Sequence, residues 1–539
     1  MENESMTLRI KEPRELADAI RTHVSRADRT AFLSALITGL VTHLYMLVNK
    51  LPNHDDFLAT STANSMLTSG RWFLAVPSFF SSELSLPWVN GLISLVFLAL
   101  TCVLIIRMLG MGRPMLIGLS CALLVAFPSV SHTLCYMYTA DAYFAAVWMA
   151  VLGVYLADRY RLGFLPGAVL LGLSMGCYQS YIFFAFALLG VKLLLLLTEK
   201  GASDKAVLGA LARYIGVLAL GALVYYGGLQ LLLTVNHATL TDYMGINSLG
   251  KQGFGGILAR IPDVYRAYWG YLSGNSWLFN GRFLIGVFLL NNVLSIVALA
   301  FCFLKNGRRT LLRWVLFVLM LAGWPLLFFG IALLGTEIVH TLMLYAFSLV
   351  LVILPALADR ELPVNPDGVK PLLRQWQLMC CYGLAFLMAA TAGVYAVKDN
   401  ETYFALELKF DNMLSLANRI VDRVEQTPEY VPGVTPIWCQ GTIYEGNYPA
   451  VKSGAFARAS NSPTTAFEWE YGFLMNNLYF TAFVRNYIGV SFAEPDHGKV
   501  EEILATDAYE SMPYFPEEGS VKAIDGIIFV RVGPGGTVW

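Results

Sequence analysis

The chain has 539 residues, 56% hydrophobic and only 14% charged, with a mean hydropathy of +0.57, a balance far more apolar than that of an ordinary soluble domain. It excludes a soluble enzyme and a nucleic-acid binder and leaves a polytopic α-helical membrane protein. The net charge of −1 hides an asymmetry, because residues 398–539 carry ten Lys and Arg against nineteen Asp and Glu while the preceding part is net positive, which implies a membrane-embedded region followed by an acidic soluble one.

Residues 1–30 hold equal numbers of acidic and basic side chains and no apolar core. They are expected to form a cytoplasmic amphipathic segment rather than a cleaved signal peptide. Apolar runs of spanning length or near it follow at 31–48, 88–106, 115–130, 141–157, 164–177, 181–197, 214–235, 283–304, 315–334, 341–357 and 378–397, about eleven transmembrane helices within a core of 31–397. The runs at 164–177 and 181–197 are kept apart because ~34 residues exceed a ~30 Å apolar layer and Tyr178-Gln179-Ser180-Tyr181 supplies a polar break.

Lys and Arg set the orientation. They crowd one set of loops (Arg107 and Arg113, Arg159 and Arg161, Lys200 to Arg213, Lys305 to Arg313, Arg360 to Arg374) and are nearly absent from the alternate set, the long loop 236–282 excepted. Short loops rich in cations stay in the cytoplasm, so the N-terminus is expected inside a bacterial plasma membrane and the C-terminus outside it. Residues 398–539 then form an extracytoplasmic α/β domain, with a helix at 402–426, another near 470–487 and strands at 436–440 and 525–532. Its Trp438, Trp469, Tyr471, Phe473 and Tyr479 suit either a sugar-stacking surface or a small core. Cys135 and Cys439 are the two cysteines expected to face the oxidising side.

The first outer loop is the most informative stretch. It reads Asn49-Lys50-Leu51-Pro52-Asn53-His54-Asp55-Asp56-Phe57 and, about one short helix later, Ser69-Gly70-Arg71-Trp72. Adjacent carboxylates and an Arg-Trp pair at one interface suit sugar transfer. A carboxylate, Asp55 or Asp56, removes the proton from an acceptor hydroxyl as it attacks the anomeric carbon, and Arg71 stabilises the leaving phosphate. Both carboxylates are expected near water, and the one not serving as base is expected to cap the helix that follows. Because no nucleotide sugar is available outside, the donor must arrive already activated, and a lipid-linked phosphosugar does so.

These two motifs resemble those of the bacterial glucosyltransferase-domain family related to phage serotype-converting O-antigen glucosyltransferases. The resemblance implies a GT-C-like architecture, a catalytic carboxylate in the first outer loop, a polyprenyl-phosphate hexose as donor and glucose as the sugar. A surface glycan or glycolipid would be the acceptor, with a donor synthase and a flippase upstream. No cofactor is called for, and a divalent metal is left open. His54 and Trp72 join Arg71 as candidate substrate contacts.

Other outer segments add candidates. The loop Ser131–Tyr143 carries His132, Tyr136, Tyr138 and Asp141. Asp141, at the start of an apolar helix, is either functional or an N-cap. Tyr178 and Gln179 offer sugar hydrogen bonds or an ordinary turn. In the loop 236–282, Lys251 lies in a glycine-rich stretch without the order of a nucleotide-binding loop. Ile257, Ile261, Val264 and Tyr268 then recur at helical spacing, as in a helix lying in the interface, and Lys251 or Arg282 would reach the donor phosphate or merely lipid head groups. Glu337 and His340 sit in a tight turn with the same two readings. No HExxH, CxxC pair or Ser-centred hydrolase turn appears. The competing classes are a transporter or flippase of lipid-linked sugars, which would carry its polar residues at mid-membrane depth, and a polysaccharide polymerase.

Overall fold

The computed structural model describes residues 24–53, 55–58, 66–81, 84–241, 253–273, 282–306, 310–334, 339–361, 371–441 and 477–534. Helix α1 (Arg26–Val48) starts with a capping box between Ser25 and Asp28, which satisfies amides that a helix start leaves open. Asp28 also takes a two-point ion pair from Arg107 at the end of α2 (Pro87–Leu109). Next come α3 (Pro114–Val125) and α4 (Pro128–Leu134), bent by 48°. The bend follows from Pro128, which disfavours the helical region for Phe127, whose ψ is 135°. The chain continues through α5 (Met137–Arg159), α6 (Phe164–Cys177), α7 (Tyr181–Leu197), α8 (Asp204–Val235), α9 (Ile261–Leu272) and α10 (Arg282–Asn306). Helix α11 (Leu311–Ala322) and the stretch that opens with α12 (Trp324–Phe329) make a second bent pair, at 56°. A 3₁₀ run, Thr341–Leu349, leads into α13 (Val350–Glu361), and α14 spans Pro371–Glu425.

Among the described residues seven helices are long and apolar enough to cross a membrane, or nine if each bent pair is one span. The expected eleven runs all fall on helices, but α6 and α7 have only 14 and 17 residues, short of the ~20 that a straight crossing needs. They meet at the polar break beside the first loop, where Gln179 bonds Ser69, and α7 ends where Arg360 bonds the Leu195 carbonyl. A Cβ on Gly153 of α5 would stand 2.6 Å from the Gly167 carbonyl oxygen of α6, so the two backbones touch, as small residues permit inside membranes.

Two expectations need correction. The segment 131–143 is not a loop: α4 ends at Leu134 and α5 begins at Met137, with Ser131, His132, Tyr138 and Asp141 all buried. Nor does the chain break at 398, because α14 runs 55 residues without interruption. It has no proline after its first residue, so nothing stops the hydrogen-bond ladder where the composition turns polar.

The tail forms a small sheet beside helices. Strands β1 (Ile437–Gln440), β2 (Val521–Ile524) and β3 (Ile527–Arg531) pair in the order β1-β3-β2, β1 parallel and β2 antiparallel to β3. Asp525 and Gly526 both have positive φ, 49° and 83°, the requirement of a two-residue hairpin turn. The strand expected at 525–532 is β3, and residues 525 and 526 are the turn that joins it to β2. Between β1 and β2 lie α15 (Asn477–Phe483), a π turn (Val484–Ile488) and α16 (His497–Leu504). Trp438 is 2% exposed, packed with Val500, Ile503 and Phe529; it is a core residue. Trp469, Tyr471 and Phe473 lie outside the described residues. Cys135 and Cys439 are both buried, free thiols.

The ion pairs Arg107–Asp28, Arg113–Asp359, Lys305–Glu361 and Arg313–Asp204 gather where α1, α8 and α11 begin and α2, α10 and α13 end. The described residues of the first loop, between the end of α1 and the start of α2, lie at the opposite end of the bundle.

Candidate functional site

Local capping shapes the acidic half of the first loop. The Asn53 side-chain oxygen accepts from the Asp55 amide at 2.8 Å and the Asp56 amide at 3.3 Å, and the Asp56 carboxylate accepts from the Asn53 amide at 2.7 Å. This reciprocal cap starts the 3₁₀ turn Asp55–Leu58 and resembles a capping box with Asn and Asp in its two places. Asp56 is 5% exposed, not near water as expected, and its second oxygen has no hydrogen-bond partner among the described residues. Asp55, next to it, is half-buried.

Burial pushes the Asp56 carboxyl up to about 7, and the Asn53 amide, a Ser85 hydroxyl and Lys50 only partly oppose this. A carboxyl raised in the folded state favours the fold while protonated. That contribution is complete below its unfolded value of 3.8 and is lost as pH rises through about 7. Asp56→Asn keeps the shape and the acceptor oxygen without a charge to bury. The wild type is therefore expected to lose more thermal stability than this variant between about pH 4 and about pH 7. Parallel stability curves in detergent would show that the carboxyl titrates in its ordinary range.

The cationic half is held by other helices. Gly70 has φ +77°, and a Cβ there would stand 2.6 Å from Gln179 Nε2. Gln179 Nε2 donates to the Ser69 carbonyl at 3.0 Å and to the Tyr225 hydroxyl at 3.1 Å, and that hydroxyl donates to the Gly70 carbonyl at 3.2 Å. Gln179 and Tyr225 thus clamp the turn that aims Arg71. Arg71 Nη1 donates to the Tyr143 hydroxyl at 3.2 Å, and its guanidinium lies 5.0 Å from the Tyr178 ring centre, a cation–π approach. Tyr143, Tyr178 and Tyr181 pack with ring centres 4.9 to 6.4 Å apart. Trp72 wedges between α6 and α8, where a Cβ on Gly176 or Gly228 would come within 2.9 or 2.6 Å of its ring.

Tyr138, at the start of α5, feels the charges of Asp55, Asp56 and Arg71 together, so both halves of the loop lie toward this end of α5. The C-terminal domain closes over the same loop: α15 packs on the Asp55–Leu58 turn, and the Lys50 ammonium sits 5.1 Å over the Tyr487 ring. Burial raises the Tyr487 phenol, and the Asp56 charge adds to the rise.

Asp141 lies one turn inside α5 and does not cap it, since the cap position is Tyr136. It takes a long 3.4 Å bond from Asn90 of α2, and its other oxygen has no hydrogen-bond partner among the described residues. Asp399, on α14, is equally buried and accepts from Ser131 at 2.6 Å. Arg282 is exposed at the first residue of α10, and among the described residues no hydrogen bond or ion pair joins it to the first loop. His340 is buried at the head of the 3₁₀ run. In α9, Val264 and Tyr268 are buried, and Tyr268 donates to Asn292 at 2.6 Å, while Asp263 and Arg266 on the other face are exposed, so the helix rests on the bundle by its apolar side. His54, Lys251 and Glu337 lie outside the described residues. Among those described, no three His, Cys, Asp or Glu are grouped to hold a metal ion.

Some residues of the site carried no sequence signal. Tyr143, Tyr225 and Asn90 sit in apolar windows that read as plain spans, and Asp399 reads as the first polar residues after one. The Asn53 cap was readable: Asn followed three residues later by an acid is a helix-start pattern.

The family model of glucosyl transferase GtrII matches residues 44–353, more than half of the chain, and the chain belongs to that family. The match takes in the whole first loop, Asp141, Gln179 and His340, and ends inside α13, so that α14 and the sheet lie outside it. No curated relative and no solved structure matches the chain.

Proposed function

We propose that this member of the glucosyl transferase GtrII family moves a hexose, glucose by the family's description, from a polyprenyl-phosphate donor to a surface glycan or glycolipid outside a bacterial plasma membrane. One observation carries the reading. A half-buried carboxylate, Asp55, and a tyrosine-clamped guanidinium, Arg71, belong to one loop at the bundle end opposite the ion-paired Lys and Arg. That polarity favours a cytoplasmic N-terminus and an extracytoplasmic site, where only a lipid-linked donor is at hand.

In this reading the donor's tail lies against the helices and its phosphate beside Arg71. Asp55 takes the proton of the acceptor hydroxyl as its oxygen bonds the anomeric carbon, and the bond from that carbon to the phosphate oxygen breaks with its electron pair leaving on the phosphate. Arg71 meets the charge that develops there. Asp56 holds the turn, and Gln179 with Tyr225 holds the backbone that aims Arg71.

Purified protein in detergent is expected to transfer glucose from polyprenyl-phosphate glucose to glycan extracted from cells lacking the protein, and to do nothing with UDP-glucose alone. Turnover from UDP-glucose without any lipid carrier would overturn the reading.

A further inference from the structure

The C-terminal domain contains a cavity of about 400 Å³ bounded by α15, its π turn and the segment leading to α16, with Trp438, Asn477, Thr481, Arg485, Phe492 and Glu494 in its walls. The walls are ordered by their own bonds. The Asn477 side-chain oxygen accepts from the Cys439 amide at 3.0 Å, which turns the amide's NH2 donor to other use. The Thr481 hydroxyl donates to the Asn477 carbonyl at 2.7 Å and keeps its lone pairs as acceptors. Phe492 is stacked on Phe480 with ring planes 13° apart. Arg485 is exposed and makes no ion pair among the described residues.

A sugar ring presents hydroxyls that both donate and accept, together with an apolar C–H face. A cavity that mixes an amide, a hydroxyl, a guanidinium, a carboxylate and an aromatic wall answers all three. The Glu494 carboxylate, 3.7 Å from His497, stands in the wall beside Arg485 and His497 and opposes an anionic ligand, which favours a neutral saccharide over a phosphate. Helix α15 also packs on the Asp55–Leu58 turn, so one short helix touches both the cavity and the loop. The cavity also lies outside the family match, where an acceptor peculiar to this chain would be read.

We propose that this cavity binds the acceptor glycan by a stretch of neutral sugar residues while its end reaches the first loop; the acceptor role rests on reading that loop as the site of transfer. The test is binding of fluorescently labelled oligosaccharides, released from the surface glycan of cells lacking the protein, to the full-length chain in detergent. Saturable binding is expected, weakened about tenfold by Arg485→Ala and by Thr481→Val, with partial recovery in Arg485→Lys. Binding is measured without any sugar donor, which separates the two readings, since saturable binding in the absence of donor stands whatever the donor proves to be. No binding by the wild type at millimolar oligosaccharide, or unchanged binding by folded Arg485→Ala and Thr481→Val chains, would overturn the proposal.

Discussion

Asp55→Asn is expected to cut the rate of sugar transfer by about 10²–10⁴-fold, the usual contribution of a positioned base, while folding and donor binding stay close to those of the wild type. The amide matches the carboxylate in shape but cannot take the acceptor proton, so the loss belongs to the chemical step. Asp55 is the member of the pair with exposed surface, whereas the Asp56 carboxylate is buried and bonded to the Asn53 amide. Asp56→Asn is therefore expected to keep most turnover, and Asp56→Leu to lose the cap, at about 0.5–2 kcal/mol of stability. Single-turnover transfer from the lipid donor, with donor binding measured separately, checks both. Near-normal turnover in both Asn variants would remove the loop from catalysis and leave the buried Asp141 as the next acid to test.

Arg71→Ala is expected to act on binding and chemistry together. If the guanidinium contacts the donor phosphate before and during departure, its loss raises KM for the lipid donor and lowers kcat, with a fall in kcat/KM of about 10²–10³-fold, the scale seen when one donor to a developing anion is removed. Arg71→Lys is expected to recover little, because an ammonium cannot reproduce the planar fork that bonds Tyr143 and covers the Tyr178 ring. Gln179→Ala leaves the guanidinium in place but frees the Ser69–Gly70 backbone, so its effect should follow that of Arg71 in kind and be smaller. A KM for the donor unchanged in Arg71→Ala would mean that the phosphate lies elsewhere.

By itself the sequence determined the class of the protein, because a helix in an apolar layer must be built from a long apolar run, and such runs are local sums that need no partner. Each run read in this way falls on a helix, and the Tyr178-Gln179-Ser180 break separates α6 from α7. The same local logic located the first loop and most of the small sheet, and the Asn53 cap and the Asp525-Gly526 turn were open to it. Tertiary structure alone decided what these residues meet. Asp55 and Asp56 are neighbours with equal chemistry, and only the folded chain, with α15 packed on their turn, buries one and leaves the other half-buried. Gln179 reads as a turn residue until Ser69 and Tyr225 come within 3.1 Å of it. The polar composition after Lys398 reads as a change of solvent, which hydropathy reports, yet the backbone of α14 continues through it, because helical hydrogen bonds join residues four apart and are indifferent to which solvent lies beyond them.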